Sequence, residues 1–359
     1  MPLNADRLFI VSDSRDSAED IRRHLGGMFE SQFFPRYGLP HATPTKYTIV
    51  DLDLTDGSYL SDLRLWLQRR PKDGKAIFAV EQGVLRQAVQ AYAVGATDVL
   101  DRPLNRKMIL TNILGDIESL IGISADLLNQ SSEGVRAAAV ALQSIWASVV
   151  SGTRVELNAV HAAGDVLVSD IEGEGLAHWI DVVRKHHSQT YQHCLLVTGV
   201  AVAFGRHLGF SSVDKQKLAF GGLLHDCGKA GVPVALLEKP APLDSREAAV
   251  MRRHPQLGFD ALRQADGIDP SVLDMVVHHH EYLDGSGYPH GLQAPELSDL
   301  VRMMTIADIY GALIERRAYK APMTCEAAYQ VLKDMGSKLD TDLVREFQPI
   351  SRMQARALL

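Results

Sequence analysis

The stretch Leu223-Leu-His-Asp-Cys-Gly-Lys229 places a histidine and an aspartate side by side in an apolar run. Polar groups are costly in such surroundings unless they are paired, so His225 and Asp226 need a binding partner. Imidazole and carboxylate together suit borderline divalent ions such as Fe, Mn, Ni or Zn. The stretch therefore predicts a buried metal site.

Five further candidate ligands lie before or after this pair, between residues 193 and 308, and this part of the chain also holds most of the 14 histidines. A structural zinc site is complete with about four ligands, so the full set is too large for one such ion. It predicts two ions that share a carboxylate, an apparatus that recurs in enzymes attacking phosphate esters. The predicted ligands are His193, His225, Asp226, His254, His279, His280 and Asp308.

The order of these ligands predicts how they divide between the ions. Neighbouring side chains on a helix point about 100° apart, so we expect His225 to bind one ion while Asp226 bridges both. His279 and His280 can likewise face different directions, which places both on the second ion or at its edge. Of the remaining ligands, His193 and Asp308 complete the first ion site, and His254 completes the second.

Such a centre is expected to clamp a phosphate and to lower the pKa of a bridging water to about 7. The hydroxide then attacks phosphorus in line with the leaving oxygen. Lys229 follows Asp226 by one helical turn and can neutralise a phosphate oxygen, so these two are the predicted catalytic residues. Arg317 and Lys320, with Lys229, are the predicted substrate-binding residues, because positive charge favours a phosphate and Arg suits bidentate phosphate contacts.

Composition bounds the class of protein. With 359 residues the chain suits two or three domains, and its net charge of -7 gives no general attraction to DNA or anionic lipid. Three scattered cysteines, Cys194, Cys227 and Cys325, fit a reducing cytoplasm. Residues 1–7 lack the features of a signal peptide, and the apolar stretch 194–204 is too short to span a bilayer. We expect a cytoplasmic protein without membrane insertion.

The chain is expected to form an α/β doubly wound domain over residues 1–120, a connector helix over 121–150 and an all-α domain over 151–359. Strand-like runs at 7–12, 47–52 and 76–80 alternate with helix-like runs, which is the pattern of a parallel sheet. Residues 135–149 carry apolar side chains at steps of three and four, which supports either a two-helix seam or packing onto the next domain.

The N-terminal layout resembles the receiver domain of bacterial response regulators. Asp13 and Asp51 stand where receivers hold Mg²⁺ and accept phosphate. The departures are Ser12 or Ser14 in place of a second acid, Val80 or Glu81 in place of a hydroxyl, and Arg102 in place of a lysine. Two interpretations stay open: a switch with Asp51 as phosphoacceptor, and a degenerate receiver used for docking or dimerisation.

Residues from about 150 to 350 resemble the HD-GYP domain, a subgroup of the HD phosphohydrolases that degrades cyclic di-GMP in bacteria. The matching motifs are HDxGK at 225–229, HPxxG at 254–258, HHE-x-x-DGSGYP at 279–289, and two short elements at 308–310 and 317–320. The resemblance implies an HD-type helical fold, two divalent ions, with Fe or Mn favoured, and cleavage of cyclic di-GMP to pGpG or onward to GMP. It also implies a diguanylate cyclase (GGDEF) as a partner, and a homodimer stays open.

Details around the motifs lead to further expectations. Gln189 stands where some members carry a Glu that helps to hold a third metal, so two ions are expected. Gly311 replaces an acid of many relatives, which removes a contact behind the ligands. Glu281 is expected to orient a ligand histidine. The loop 284–289 is expected to shape the wall beside the second ion, and whether it also presents Tyr288 to a partner stays open.

Different functions also remain compatible with the sequence. The same site could act on pGpG or another cyclic dinucleotide. The domain could also be a non-catalytic signalling adaptor that binds nucleotide or a diguanylate cyclase, although an adaptor has no need for a complete ligand set. A nucleoside triphosphohydrolase, as in other HD proteins, is disfavoured by the DGSGYP segment.

Overall fold

The computed structural model describes residues 7–25, 29–39, 41–54, 57–114, 132–184, 189–315 and 322–355. The chain divides into two compact units, the first built mainly from Met1–Asp116 and the second mainly from the residues that follow. The first unit combines strands and helices, and the second is helical.

The first unit is a five-stranded parallel sheet in the order β2-β1-β3-β4-β5. That order reverses at β1, as in doubly wound α/β folds. Its strands are β1 (Arg7–Ser12), β2 (Glu30–Pro35), β3 (Tyr47–Asp51), β4 (Lys75–Val80) and β5 (Asp98–Asp101), and its helices are α1 (Arg15–Leu25), α2 (Gly57–Leu67), α3 (Leu85–Val94) and α4 (Arg106–Leu114).

The apolar runs of β1, β3 and β4 are buried almost throughout, which confirms the predicted α/β class. The edge strand β2 was not predicted. Its residues Glu30, Ser31 and Gln32 are polar, and an edge strand is only half buried, so hydrophobicity does not mark it.

The helical unit surrounds a core formed by two apolar helices, α8 (Gln189–His207) and α14 (Asp299–Ile314). The other helices are α5 (Glu133–Ser151), α6 (Asn158–Gly173), α7 (Gly175–Val183), α9 (Ser212–Leu224), α10 (Val234–Leu237), α11 (Ser245–Met251), α12 (His254–Leu262), α13 (Pro270–His278), α15 (Cys325–Asp334), α16 (Thr341–Glu346) and α17 (Gln348–Ala355). Short 3₁₀ turns lie at Cys227–Gly231, Ala294–Glu296 and Gly336–Lys338.

Helix α5 is long and apolar. Over the described residues it is the one helix that could cross a membrane by length and composition, with a mean hydropathy of 1.2. Because 56% of this stretch is buried, the same test would be passed by the core helix of a globular unit.

Gly228 allows the 3₁₀ turn and α12 to pack backbone to backbone. A Cβ atom at this position would lie 1.9 Å from the carbonyl oxygen of His254 and 2.4 Å from the nitrogen of Gly258. Backbone atoms cannot rotate aside as side chains do. The close approach therefore depends on glycine.

We predict that Gly228→Ala lowers the free energy of unfolding of the helical unit by about 1–3 kcal/mol, the usual cost of overpacking. Gly173→Ala is the matched control, since a Cβ there meets no atom within 4 Å. Urea unfolding followed by circular dichroism measures both variants. Equal midpoints for the two would contradict the packing argument.

Candidate metal centre

The structure brings all seven predicted ligands into one part of the helical unit. His193 lies in the first turns of α8 and Asp308 in the middle of α14. The others lie at helix ends: His225 follows α9, His254 opens α12, and His279 follows α13. Asp226 and His280 come next in the chain. The adjacent pairs therefore leave helix ends, where the expectation assumed continuous helix.

The Asp226 carboxylate lies between two groups of imidazoles. Its Oδ2 is 3.4 Å from His225 Nε2 and 3.6 Å from His193 Nε2. Its Oδ1 is 3.1 Å from His254 Nε2 and 4.0 Å from His279 Nε2. One carboxylate thus faces a different group with each oxygen.

Each group has the composition of a metal site. One consists of His193, His225 and Asp308, and the other of His254, His279 and His280; within each, one candidate ligand atom per residue lies within 4.8 Å of the others. His193 Nε2 is 2.9 Å from Asp308 Oδ1, and His254 Nε2 is 3.2 Å from His279 Nε2.

Hydrogen bonds at Nδ1 aim four of the imidazoles. The Nδ1 atoms of His225, His254 and His279 lie 2.7, 2.8 and 2.9 Å from main-chain carbonyl oxygens three residues earlier, those of Gly222, Met251 and Val276. His193 Nδ1 is 2.9 Å from Glu315 Oε2. An N–H at Nδ1 leaves Nε2 as the ligand atom in each case.

Two buried atoms of the centre lack the partners they need. His225 Nε2 and Asp226 Oδ1 are buried without a hydrogen bond. Buried polar atoms are nearly always satisfied, so such orphans require an explanation. Imidazole nitrogens and carboxylate oxygens that converge in this way fit divalent cations, and the residues present therefore fit a metal pair.

The charges around Asp226 keep it ionised. Burial alone would raise the pKa of its carboxyl, but Lys229 and His225 outweigh burial and hold the pKa well below its usual range. Lys229 Nζ lies 2.5 Å from Asp226 Oδ2. Burial would lower the pKa of Lys229, but Asp226 outweighs it and raises that pKa. Both groups are charged near neutral pH.

His193 in the first group differs in protonation from His279 and His280 in the second. Burial and the neighbouring imidazoles lower the pKa of His279 well below its usual value, and burial lowers the pKa of His280 to about 3. Burial would also lower the pKa of His193, but Glu315 and Asp308 raise it to about 10. His279 and His280 are therefore ready to donate lone pairs, whereas a cation that binds His193 must displace a proton.

Glu315 was not predicted from the sequence. It is buried at the end of α14, two helical turns after Asp308, and fixes the His193 ring. A signal was present, since positions seven apart share one face of a helix and Glu315 follows an apolar run.

Other expectations fare differently. The prediction that Glu281 orients a ligand histidine by accepting a hydrogen bond from it is wrong, because its carboxylate accepts hydrogen bonds from three main-chain N–H groups of residues 290–292. Gly311 packs against Val197, and a Cβ atom would lie 2.9 Å from its side chain. Arg317, Lys320 and the side chain of Gln189 lie outside the described residues.

The buried thiols Cys194 and Cys227 follow the ligands His193 and Asp226 in the chain. Burial raises the pKa of both thiols, so they stay protonated at neutral pH. A metal ligand must be the thiolate. This agrees with the expectation that Cys227 is a small apolar residue of the core.

In the first unit, the carboxylates at the end of the sheet are paired with arginines. Arg102 Nε is 2.7 Å from Asp51 Oδ1, and Arg36 Nη2 is 2.6 Å from Asp13 Oδ2. Ser17 Oγ also donates to Asp51, and Arg102 contacts Glu81. Each of these two acids is therefore neutralised by a guanidinium group.

We predict that Glu315→Gln weakens binding of the first ion about tenfold or more, the usual effect of losing a partner behind a ligand histidine. Glutamine retains hydrogen bonding but removes the charge that raises the basicity of His193. Titration of metal-free protein with Mn²⁺, followed by electron paramagnetic resonance of free Mn²⁺, measures each affinity. Unchanged binding of both ions would show that Glu315 is dispensable.

Comparisons with known proteins place this centre in a known type of domain. Residues 178–343 match the HD domain family. A solved HDG"Y"P protein from Bdellovibrio bacteriovorus has a similar fold, with a TM-score of 0.50 and 17% identity, covering 66% of this chain and 76% of that one. The helical unit therefore has the fold of an HD domain over the matched residues.

Several curated relatives are named as phosphodiesterases. A cyclic di-GMP phosphodiesterase of Pseudomonas aeruginosa is 33% identical over 225 residues, which is 60% of this chain and 54% of the relative. A cyclic di-GMP phosphodiesterase response regulator of Xanthomonas campestris pv. campestris is 31% identical over 46% of this chain and 44% of the relative. A 3′3′-cGAMP-specific phosphodiesterase of Vibrio cholerae is 39% identical over 41% of this chain and 28% of the relative. The chain spans about half the length, or less, of these relatives.

Proposed function

We propose that this protein is a metal-dependent phosphodiesterase of the HD-GYP type that hydrolyses cyclic di-GMP to pGpG, with GMP as a further product. One observation carries the proposal. The Asp226 carboxylate lies between two three-residue groups, each with the chemistry of a metal site. The similarity to relatives named cyclic di-GMP phosphodiesterases supports the choice of substrate.

The roles follow from the contacts. His193, His225 and Asp308 would hold one divalent ion, His254, His279 and His280 the other, with Asp226 shared between them. A bound pair of divalent ions supplies an acidified water and neutralises charge on a phosphate. Mixed nitrogen and oxygen ligands fit iron or manganese.

Lys229 has a second task in this proposal. Its ammonium group lies beside Asp226 and its side chain is 22% exposed, so it can meet both the carboxylate and an incoming phosphate oxygen. A fixed cation at that place stabilises the negative charge that develops during phosphodiester cleavage. Arg317 and Lys320 remain predicted substrate contacts.

A second candidate substrate is 3′3′-cGAMP, because relatives of similar identity are specific for it. Both cyclic dinucleotides present two phosphodiesters in one ring and differ in a base. The metal centre contacts phosphate and does not distinguish them. A direct comparison of the two substrates, with pGpG as a third compound, is therefore needed to assign the specificity.

We predict that Asp226→Ala abolishes both metal loading and turnover, since it removes the carboxylate that directs one oxygen to His193 and His225 and the other to His254 and His279. Protein purified without oxygen is subjected to elemental analysis and incubated with cyclic di-GMP, 3′3′-cGAMP or pGpG, with products separated by chromatography. Asp260→Asn, which alters an exposed acid of α12 paired with Arg263, is the control.

The outcomes distinguish a cyclic di-GMP phosphodiesterase from a hydrolase of pGpG and from a non-catalytic adaptor. Two ions per chain and faster turnover of cyclic di-GMP than of the other compounds support the proposal. Faster turnover of pGpG would reassign the substrate. Nucleotide binding without turnover under every metal tried would support the adaptor. Full activity in Asp226→Ala would overturn the bridging role.

For the first unit, we propose a degenerate receiver that serves in docking or dimerisation. The Arg102 contact occupies Asp51, and Arg36 occupies Asp13, so the acids that would hold Mg²⁺ already have a cation. The domain boundaries, a diguanylate cyclase partner, a homodimer and a cytoplasmic location stay predictions from the sequence.

We predict that acetyl phosphate and Mg²⁺ do not phosphorylate this protein, because the guanidinium of Arg102 is hydrogen-bonded to the acceptor carboxylate. Phosphate-affinity electrophoresis detects any phosphoprotein. Asp51→Asn is the control, and a shifted band that this variant loses would restore the switch interpretation.

A further inference from the structure

His280 differs from the other candidate imidazoles. The described residues provide no hydrogen bond to either of its ring nitrogens, and its Nδ1 lies 3.5 Å from Asp308 Oδ2. Its side chain is 22% exposed, whereas those of the other four are nearly inaccessible. Hydrogen bonding therefore leaves the orientation of this ring open, and another contact has to set it.

Three described rings pack against His280: those of His279 and His254, with centroids at 4.2 and 5.0 Å, and that of Tyr288, which comes from outside the ligand set. The Tyr288 centroid is 4.7 Å from that of His280, and the ring planes are inclined by 30° in a stacked arrangement. The guanidinium carbon of Arg252 lies 5.2 Å from the Tyr288 centroid. Stacked rings at this separation attract each other and resist rotation. His280 therefore packs against an aromatic plane that is itself held by a cation.

The loop that carries Tyr288 is fastened to the backbone beside His280. The buried Glu281 carboxylate accepts hydrogen bonds from His290 N, Gly291 N and Leu292 N, at 2.6, 3.0 and 3.1 Å. Tyr288 N donates to His280 O over 3.2 Å.

Gly287 allows this fastening, because a Cβ atom there would lie 2.4 Å from Glu281 Cα. The glycine therefore brings the loop against the segment that contains the ligand. With Glu281 engaged by this loop, its carboxylate acts on the position of Tyr288, and Tyr288 in turn contacts the ligand ring.

We propose that Tyr288 is a positioning residue for His280, and that it acts through its ring and not through its hydroxyl. The other ligand histidines are aimed by hydrogen bonds at Nδ1, and His280 is aimed by stacking. The role of the loop is then to complete the second ion site from outside the ligand set. This inference rests on the two-ion centre of the proposed function.

The test compares Tyr288→Leu with Tyr288→Phe in the full chain. Mn²⁺ is titrated into metal-free protein, and electron paramagnetic resonance of free Mn²⁺ yields the number of ions and both affinities. We expect Tyr288→Phe to match the wild type. Tyr288→Leu should retain the first ion and bind the second at least about tenfold more weakly, as when a partner behind a ligand is lost.

Tyr282→Leu is the matched control, since that tyrosine is close in sequence and has Lys338 over its ring. It should bind both ions like the wild type. Tyr288→Met, which is flexible and lacks a ring, takes the place of Tyr288→Leu if thermal unfolding shows that the leucine variant does not fold.

Unchanged affinity for the second ion in the variants without a ring would overturn the inference. An equal loss in Tyr288→Phe would overturn it too, because the hydroxyl would then be the acting group. A wild-type chain that binds no pair of ions would refute the proposed function first, and this inference with it.

Discussion

The candidate metal centre of the helical unit depends on one buried carboxylate. Asp226 is almost inaccessible, and a charge in that position is costly unless other groups compensate it. Lys229 compensates from one side, and imidazoles approach both oxygens. Helix α9 has to end where it does for Asp226 to enter the centre, and Gly228 has to lack a side chain for α12 to bring His254 close.

Much of this centre could be predicted from the sequence because its donors are chemically distinctive. His225 and Asp226 stand out in an apolar run, and histidines are rare enough for a cluster to be informative. Partners behind the ligands were harder to assign. Glu315 resembles any acid at a helix end until tertiary packing brings it to His193, and Glu281 contacts main-chain groups, which have no signature in the sequence.

The fold shows the same division. Continuous apolar runs identified the buried strands of the first unit, and strong local patterns identified helices after residue 153. The edge strand β2 escaped because hydrogen bonds to β1, and not burial, hold it in the sheet. Strand pairing is a relation between distant segments, which a local pattern does not contain.

The two units neutralise clustered carboxylates in different ways. In the first, arginines contact Asp13 and Asp51 directly, and these contacts are complete without any added ion. In the second, imidazoles surround Asp226, and two buried atoms remain without partners. The first arrangement is self-sufficient, whereas the second is suited to receive a cation.

Three ligand rings are tied to carbonyl oxygens three residues earlier in the chain, at or beside a helix end. Their aim is thus a local property of each helix end, already established when the chain folds. Little orientational freedom is left to lose when an ion enters, and such preorganisation favours tight binding. Selectivity between ions would then reside in the spacing of the helix ends, so small shifts in helix packing could retune which metal is preferred while every ligand is retained.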